Sequence, residues 1–163
     1  MVKILEEIIQ LLDAIDRKIV TALIEDGRAS VETIADRIGL SATPTRRRLR
    51  RLEETGVIGG YQAAIDPEKC DLDLAVYVFV KLQSRDRKTI AEFESRIMDL
   101  PEVLRCDLIT GAHDYILTVR LPGMKDYNRY LRDILAELPG VFGIETSVVI
   151  GEVKNTPHLP LGF

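Results

Sequence analysis

Apolar residues recur at helical spacing through the first sixty positions and then change rhythm. Leu12, Ile15, Ile19, Ala22 and Leu23 fall on one face of a helix. Asp13 and Asp16 lie near its start, where negative charge suits the helix dipole. The pattern extends back through Ile4, Leu5, Ile8 and Leu11, which predicts an extra N-terminal helix. Gly27 ends the first helix, and Ser30 is placed to cap a second, whose inward face is Ile34, Ala35 and Ile38. Thr33 occupies the position where a capping box would want Glu. Gly39-Leu40 makes a tight turn, Ser41 is placed to cap a third helix, and Gly56 stops that helix after about Thr55. Two short helices joined by a Gly-containing turn form the helix-turn-helix pattern. Val57 to Ile65 reads as extended, and Asp66-Pro67 marks a boundary.

Beyond that boundary the chain alternates strand and helix. Strands are expected at 72–82, 103–109, 115–121 and 142–150, and helices at 86–99 and 124–138. Leu100-Pro101-Glu102-Val103 and Leu138-Pro139-Gly140-Val141 echo one another, each joining a helix to the following strand. The order β-α-β-β-α-β gives a ferredoxin-like sheet with both helices on one face. The fold class is therefore α+β, a winged helix-turn-helix followed by a ferredoxin-like domain. The expected division is 1–60 for the first domain, 61–71 for a hinge strand and 72–163 for the second domain. In the first strand, Leu74, Val76, Val78, Val80 and Leu82 line one face, yet Ala75, Tyr77 and Phe79 on the other are apolar too. A strand facing water would alternate with polar residues. The uncovered sheet face is thus expected to be buried against another subunit, giving a homodimer.

The third helix carries Arg46-Arg47-Arg48-Leu49-Arg50-Arg51, with no acidic residue between Ser41 and Leu52. At 3.6 residues per turn, Thr45, Leu49 and Leu52 face the other helices, while Thr43, Arg47 and Arg50 point away. Ser41, Thr43 and Arg47 are placed to reach base edges, and Arg46, Arg50 and Arg51 to neutralise phosphates. Arg48 falls nearer the packed edge, where a structural ion pair is expected. The residues expected at double-stranded DNA are Ser41, Thr43, Thr45, Arg46, Arg47, Arg50 and Arg51. Arginine suits this role because its planar fork makes two hydrogen bonds to guanine or phosphate.

Composition narrows the alternatives. The net charge of −4 rules out a molecule that is basic throughout, so DNA affinity must come from a local patch. No run of ~18 or more uncharged apolar residues suggests a membrane span, and the first residues make a poor secretory signal, so a cytoplasmic, nucleoid-associated protein is expected. Cys70 and Cys106 are widely separated and read as structural thiols. There is no nucleophile–base constellation, Gly-rich phosphate loop or metal-ligand spacing, so neither an enzyme nor a cofactor is expected.

Four stretches together resemble the Lrp/AsnC family of feast/famine regulators: LDAIDRKIVTALIEDGR, IADRIGLSATPTRRRLRRLEETGVIGGY, DLITGAHDYILTVRLPGMKDY and LPGVFGIETSVVIGEVK. The resemblance spans Leu12 to about Leu161 in the right order. It implies a winged helix-turn-helix, a hinge strand and a C-terminal domain for amino-acid sensing and assembly. It also implies dimers joined into tetramers or octamers, and control of amino-acid metabolism genes. The effector implied is leucine or another small amino acid. By the same resemblance, Gly111, His113 and Asp114 help form its pocket, with Thr146, Ser147 and Val148 opposite. Asp114 could accept from an ammonium, and backbone N–H groups near Gly111 could hold a carboxylate. The family often has an acidic residue where this chain has Ala112. Two rivals share the architecture: a DNA-compacting protein of low specificity, and a siroheme-decarboxylase-like enzyme using His113 or His158. The arginine helix has no purpose in the enzyme.

Overall fold

The computed structural model describes residues 12–156, and the extra N-terminal helix expected before Leu12 lies outside them. Among the described residues the chain divides into two compact units, the first running to Ala64 and taking in Thr156, the second spanning Ile65–Asn155.

The first unit holds α1 (Ala14–Glu25), α2 (Val31–Ile38) and α3 (Ala42–Glu54). Ile19, Ala22, Ile34, Ile38 and Leu52 form its core. Asp13 caps α1 by accepting from the Ile15 and Asp16 amides, and the Asp16 carboxylate accepts in return from the Asp13 amide. This is a full capping box, stronger than the dipole effect expected of the two acids. Ser30 caps α2 as expected, accepting from the Thr33 amide at 3.1 Å. Gly39 ends α2 at φ 74°, a left-handed conformation that glycine adopts without steric cost. The side-chain cap expected of Ser41 is absent. Its carbonyl instead accepts from the Thr45 hydroxyl at 2.9 Å. Pro44 sits in the first turn of α3, where no intrahelical partner exists for its missing N–H. After Gly56 the chain bends at 57–58, where the Ile58 amide donates to the Leu52 carbonyl, and among the described residues it joins no strand ladder before Leu74. Within the expected hinge, Glu68–Cys70 form a single 3₁₀ turn rather than strand.

The second unit is a four-stranded antiparallel sheet of β1 (Leu74–Leu82), β2 (Val103–Leu108), β3 (Tyr115–Leu121) and β4 (Val141–Val148), in the order β2-β3-β1-β4. Helices α4 (Arg87–Met98) and α5 (Met124–Asp133) complete the expected β-α-β-β-α-β sequence. Asp86 caps α4, accepting from the Lys88 and Thr89 amides. Val76, Val78, Val80, Leu117 and Val119 pack with Phe93, Ile97, Tyr127 and Leu135 in one core. Tyr115 is also buried there, and its hydroxyl donates to Glu94 at 2.8 Å. The second helix is shorter than its 124–138 pattern predicts. It breaks at Ile134 (φ −123°, ψ −62°) and resumes as a 3₁₀ turn over Leu135–Glu137. Leu138 precedes Pro139 and must be extended, so the helix unwinds ahead of it. The opposite face of the sheet carries Ala75, Tyr77 and Phe79 from β1, with Tyr77 exposed. Neither cysteine is fully buried: Cys70 is exposed, while half-buried Cys106 has its thiol pushed up to about 11 by burial. The Cys106 thiol is therefore a weak nucleophile at neutral pH.

Candidate nucleic-acid interface and effector loop

The arginines of α3 divide by what they touch. Arg48 donates to Asp16 at 3.0 Å and also contacts Asp13, so it is the structural arginine that its helical position predicts. Arg51 also pairs with Asp16, which is fully buried. Arg51 is about half exposed, and it holds α3 to α1 through one of its Nη groups. Arg46 reaches Glu32 of α2 at 3.3 Å, and Arg50 pairs with Glu54 one turn on at 3.4 Å. Both pairs are exposed on each side, the class worth little in water and readily exchanged for another anion. Arg47 is exposed, and among the described residues it has no ion pair or hydrogen bond. Ser41 and Thr43 are exposed at the start of the same helix.

Thr45 corrects the set expected at DNA. It is completely buried and its hydroxyl is spent on Ser41. The helical wheel already put Thr45 on the packed side, and that position decides its role. The exposed residues of the expected set are therefore Ser41, Thr43, Arg46, Arg47 and Arg50, with Arg51 half exposed.

In the second unit, Gly111 lies in the β2–β3 loop at φ 128°, a backbone region strained for any residue with a side chain. Asp114 follows at the start of β3. Each of its carboxylate oxygens already accepts one hydrogen bond within the fold. One carboxylate oxygen accepts from the Leu82 amide at 2.8 Å, and the other from Arg85 Nε at 2.6 Å. Asp114 is 5% exposed. His113 packs against Phe79 with ring centroids 5.4 Å apart, and its Nε2 lies 3.4 Å from the Glu145 carboxylate.

The β4 residues expected opposite the loop do not share one face. Ser147 pairs in register with Tyr77, on the open side of the sheet. Thr146 and Val148 pair with the buried Val78 and Val76, on the helix side. Within one protomer, His113 is brought to Glu145 and Phe79 rather than to Thr146 or Val148. Strand alternation carries the signal for this, since Glu145 and Ser147 must point together. Arg85, by contrast, comes from a connecting loop with no periodic signal. It lines a cleft of about 410 Å³ together with Thr110, Gly111 and Asp114.

The AsnC-type helix-turn-helix domain model matches residues 12–53, and the Lrp/AsnC ligand binding domain model matches residues 75–159. The chain belongs to the Lrp/AsnC family. The Bkd operon transcriptional regulator of Pseudomonas aeruginosa is 42% identical over 150 residues, covering 92% of this chain and 98% of that protein. The leucine-responsive regulatory protein of Escherichia coli K12 is 40% identical over 148 residues, covering 91% and 90%. A Neisseria meningitidis transcriptional regulator solved as a complex with L-methionine superposes with a TM-score of 0.88 at 33% identity, covering 92% and 97%.

This Lrp/AsnC protein is thus a transcriptional regulator with a helix-turn-helix unit and a ligand-binding unit. Among its described residues, no helix is long and apolar enough to cross a membrane. The bonding of Asp114 has a consequence in acid. The Leu82 amide, seconded by Arg85, holds its carboxyl below the usual carboxylate range against the opposing effect of burial. A carboxyl lowered on folding stabilises fully above its unfolded value of about 4, and loses that contribution as pH falls through the lower folded value. The second unit should accordingly lose melting temperature below about pH 4. Asp114→Asn should melt lower at pH 7 and show a flatter acid limb. Parallel acid limbs in the two proteins, in thermal melts from about pH 7 to 3, would show that Asp114 is not a source of acid sensitivity.

Proposed function

We propose that this regulator grips double-stranded DNA with Ser41, Thr43, Arg46, Arg47 and Arg50 of α3, and that a small amino acid such as leucine or methionine modulates it. The observation that carries the first part is Arg47, an exposed guanidinium with no ion pair or hydrogen bond among the described residues, on the basic face of the second helix of a helix-turn-helix. An arginine without a protein partner keeps its fork free for guanine or phosphate. Arg51 serves mainly to hold the helix, with any phosphate contact secondary.

The second part is supported by the relatives, one named for leucine response and one bound to L-methionine. Gly111 and His113 are the loop residues nearest to such a role. Residues 1–60 form the DNA-binding part, 61–71 the hinge and 72–163 the effector and assembly part. The apolar residues of the open sheet face pair two protomers, and dimers join further into tetramers or octamers. The protein works in the cytoplasm on genes of amino-acid metabolism, without catalysis and without a cofactor beyond its effector.

The family resemblance also implies control of the regulator's own gene, so the test is titration of the DNA upstream of that gene, against random-sequence competitor, over a range of salt. Affinity should fall steeply with salt, and Arg46→Ala and Arg50→Ala should each flatten the log–log slope by about one unit. The upstream DNA should be preferred by about a thousandfold or more. Salt-insensitive binding would remove the arginine face from the DNA, and equal affinity for both DNAs would make the protein a compactor.

A further inference from the structure

The cleft beside the β2–β3 loop has a chemistry of its own. Leu82, Ile90, Leu108 and Tyr115 give it apolar walls, and its only charged lining groups are Arg85 and Asp114. Asp114 has one oxygen on the Leu82 amide and the other on Arg85 Nε. Each oxygen therefore already accepts one hydrogen bond, Arg85 balances the charge, the residue is only 5% exposed, and no other carboxylate lines the cleft. Arg85 is the converse case. Only its Nε is engaged, its side chain is 70% exposed, and neither Nη atom has a partner among the described residues. The Asp114 bond anchors the guanidinium through Nε and leaves both Nη groups of this cleft-lining residue without a partner among the described residues. A guanidinium edge held in this way makes two parallel hydrogen bonds to a carboxylate with little entropy left to lose. Gly111, with its open Cβ side, leaves the loop backbone uncovered beside it.

We infer that Arg85 is the carboxylate-binding residue of this cleft, and that the cleft accepts short aliphatic carboxylates, 2-oxo acids as well as amino acids. The inference rests on the reading that the second unit takes an amino-acid effector and adds the residue and the selection rule. Recognition runs through the carboxylate and the apolar chain, with the α-ammonium contributing little. An amino acid and its 2-oxo analogue are then near-equivalent ligands, whereas an amino-acid amide is excluded.

Calorimetry on the full-length protein tests this with L-leucine, L-isoleucine, L-valine and L-methionine. The tightest binder is then compared with its own 2-oxo acid and its own amide. The 2-oxo acid should bind within about tenfold of the amino acid, and the amide about a hundredfold or more weakly. Arg85→Gln should weaken both acids by at least about tenfold. Arg85→Lys, which retains the charge but not the fork, should fall between. The amide comparison uses the unaltered protein, so it decides even if the Arg85 variants fold poorly. Equal binding of amide and acid, or unchanged binding by a folded Arg85→Gln protein, would overturn the assignment while leaving amino-acid sensing intact. Failure of the unaltered protein to bind any of the four amino acids would overturn both.

Discussion

Replacing Arg47 with alanine is expected to weaken binding to the preferred DNA by about ten- to hundredfold, the value of one bidentate base contact. The expected melting temperature of the first unit is unchanged, because Arg47 is exposed and makes no ion pair or hydrogen bond among the described residues. This separation makes the variant informative. Arg46→Ala and Arg50→Ala remove exposed charges whose ion-pair partners among the described residues are Glu32 and Glu54 at the surface. They should weaken all DNA sequences alike, whereas Arg47→Ala should also blur the preference at one base position. Electrophoretic mobility titrations on the preferred site and on its single-base variants distinguish the two patterns. A uniform loss from Arg47→Ala would make it a phosphate contact, and no loss at all would take α3 out of the groove.

The second large effect is expected at Asp16. This carboxylate is fully buried between α1 and α3, and it holds Arg48 and Arg51 while completing the cap of α1. Asp16→Ala leaves Arg48, whose side chain is only 23% exposed, with Asp13 alone. Breaking a buried pair from one side costs about 3–5 kcal/mol; the partial exposure of Arg48 and its remaining partner lower this to about 2–4 kcal/mol. That is a large share of the ~5–15 kcal/mol that holds a typical domain folded. Urea unfolding followed by helical circular dichroism should show the first transition moving to lower denaturant. Adding Arg48→Met should recover part of the loss, because an apolar side chain has no charge left to neutralise. A double variant as unstable as the sum of the single ones would show that the two residues do not act as a pair.

Much of this architecture is legible in the residue pattern, and the exceptions have physical causes. The order of strands and helices follows from the change in periodicity after Asp66-Pro67, and the Ser30 cap from local chemistry alone. Arg48 is assigned its ion pair by helical geometry, though its partners Asp13 and Asp16 lie 35 and 32 residues away. Those acids read locally as dipole partners of α1, since nothing in a single helix reveals which distant arginine will reach them. Thr45 is misplaced when residue type is weighed above helical position. The surroundings of Asp114 are hidden for a different reason. A polar residue in a loop looks exposed, and only the fold shows that it is almost wholly buried, with the Leu82 amide on one oxygen and Arg85 on the other. Arg85 itself, on an irregular connection, has no pattern that could have singled it out.

Asp114 also finishes the sheet. Its amide donates to the Val80 carbonyl at 2.9 Å, its carbonyl accepts from the Ile109 amide at 2.9 Å, and its side chain accepts from the Leu82 amide at 2.8 Å. The carboxylate stands where a further backbone carbonyl would stand, adding a rung to the ladder between β1 and β3 beyond the last main-chain pair, Val80 with Tyr115. The Leu82 amide hydrogen is therefore locked by a side chain rather than by a neighbouring strand. In deuterated water it should exchange only when the whole sheet opens, as slowly as the amides of mid-strand residues. In Asp114→Ala it should exchange at the fast rate of a frayed strand end, while the mid-strand amides keep their protection.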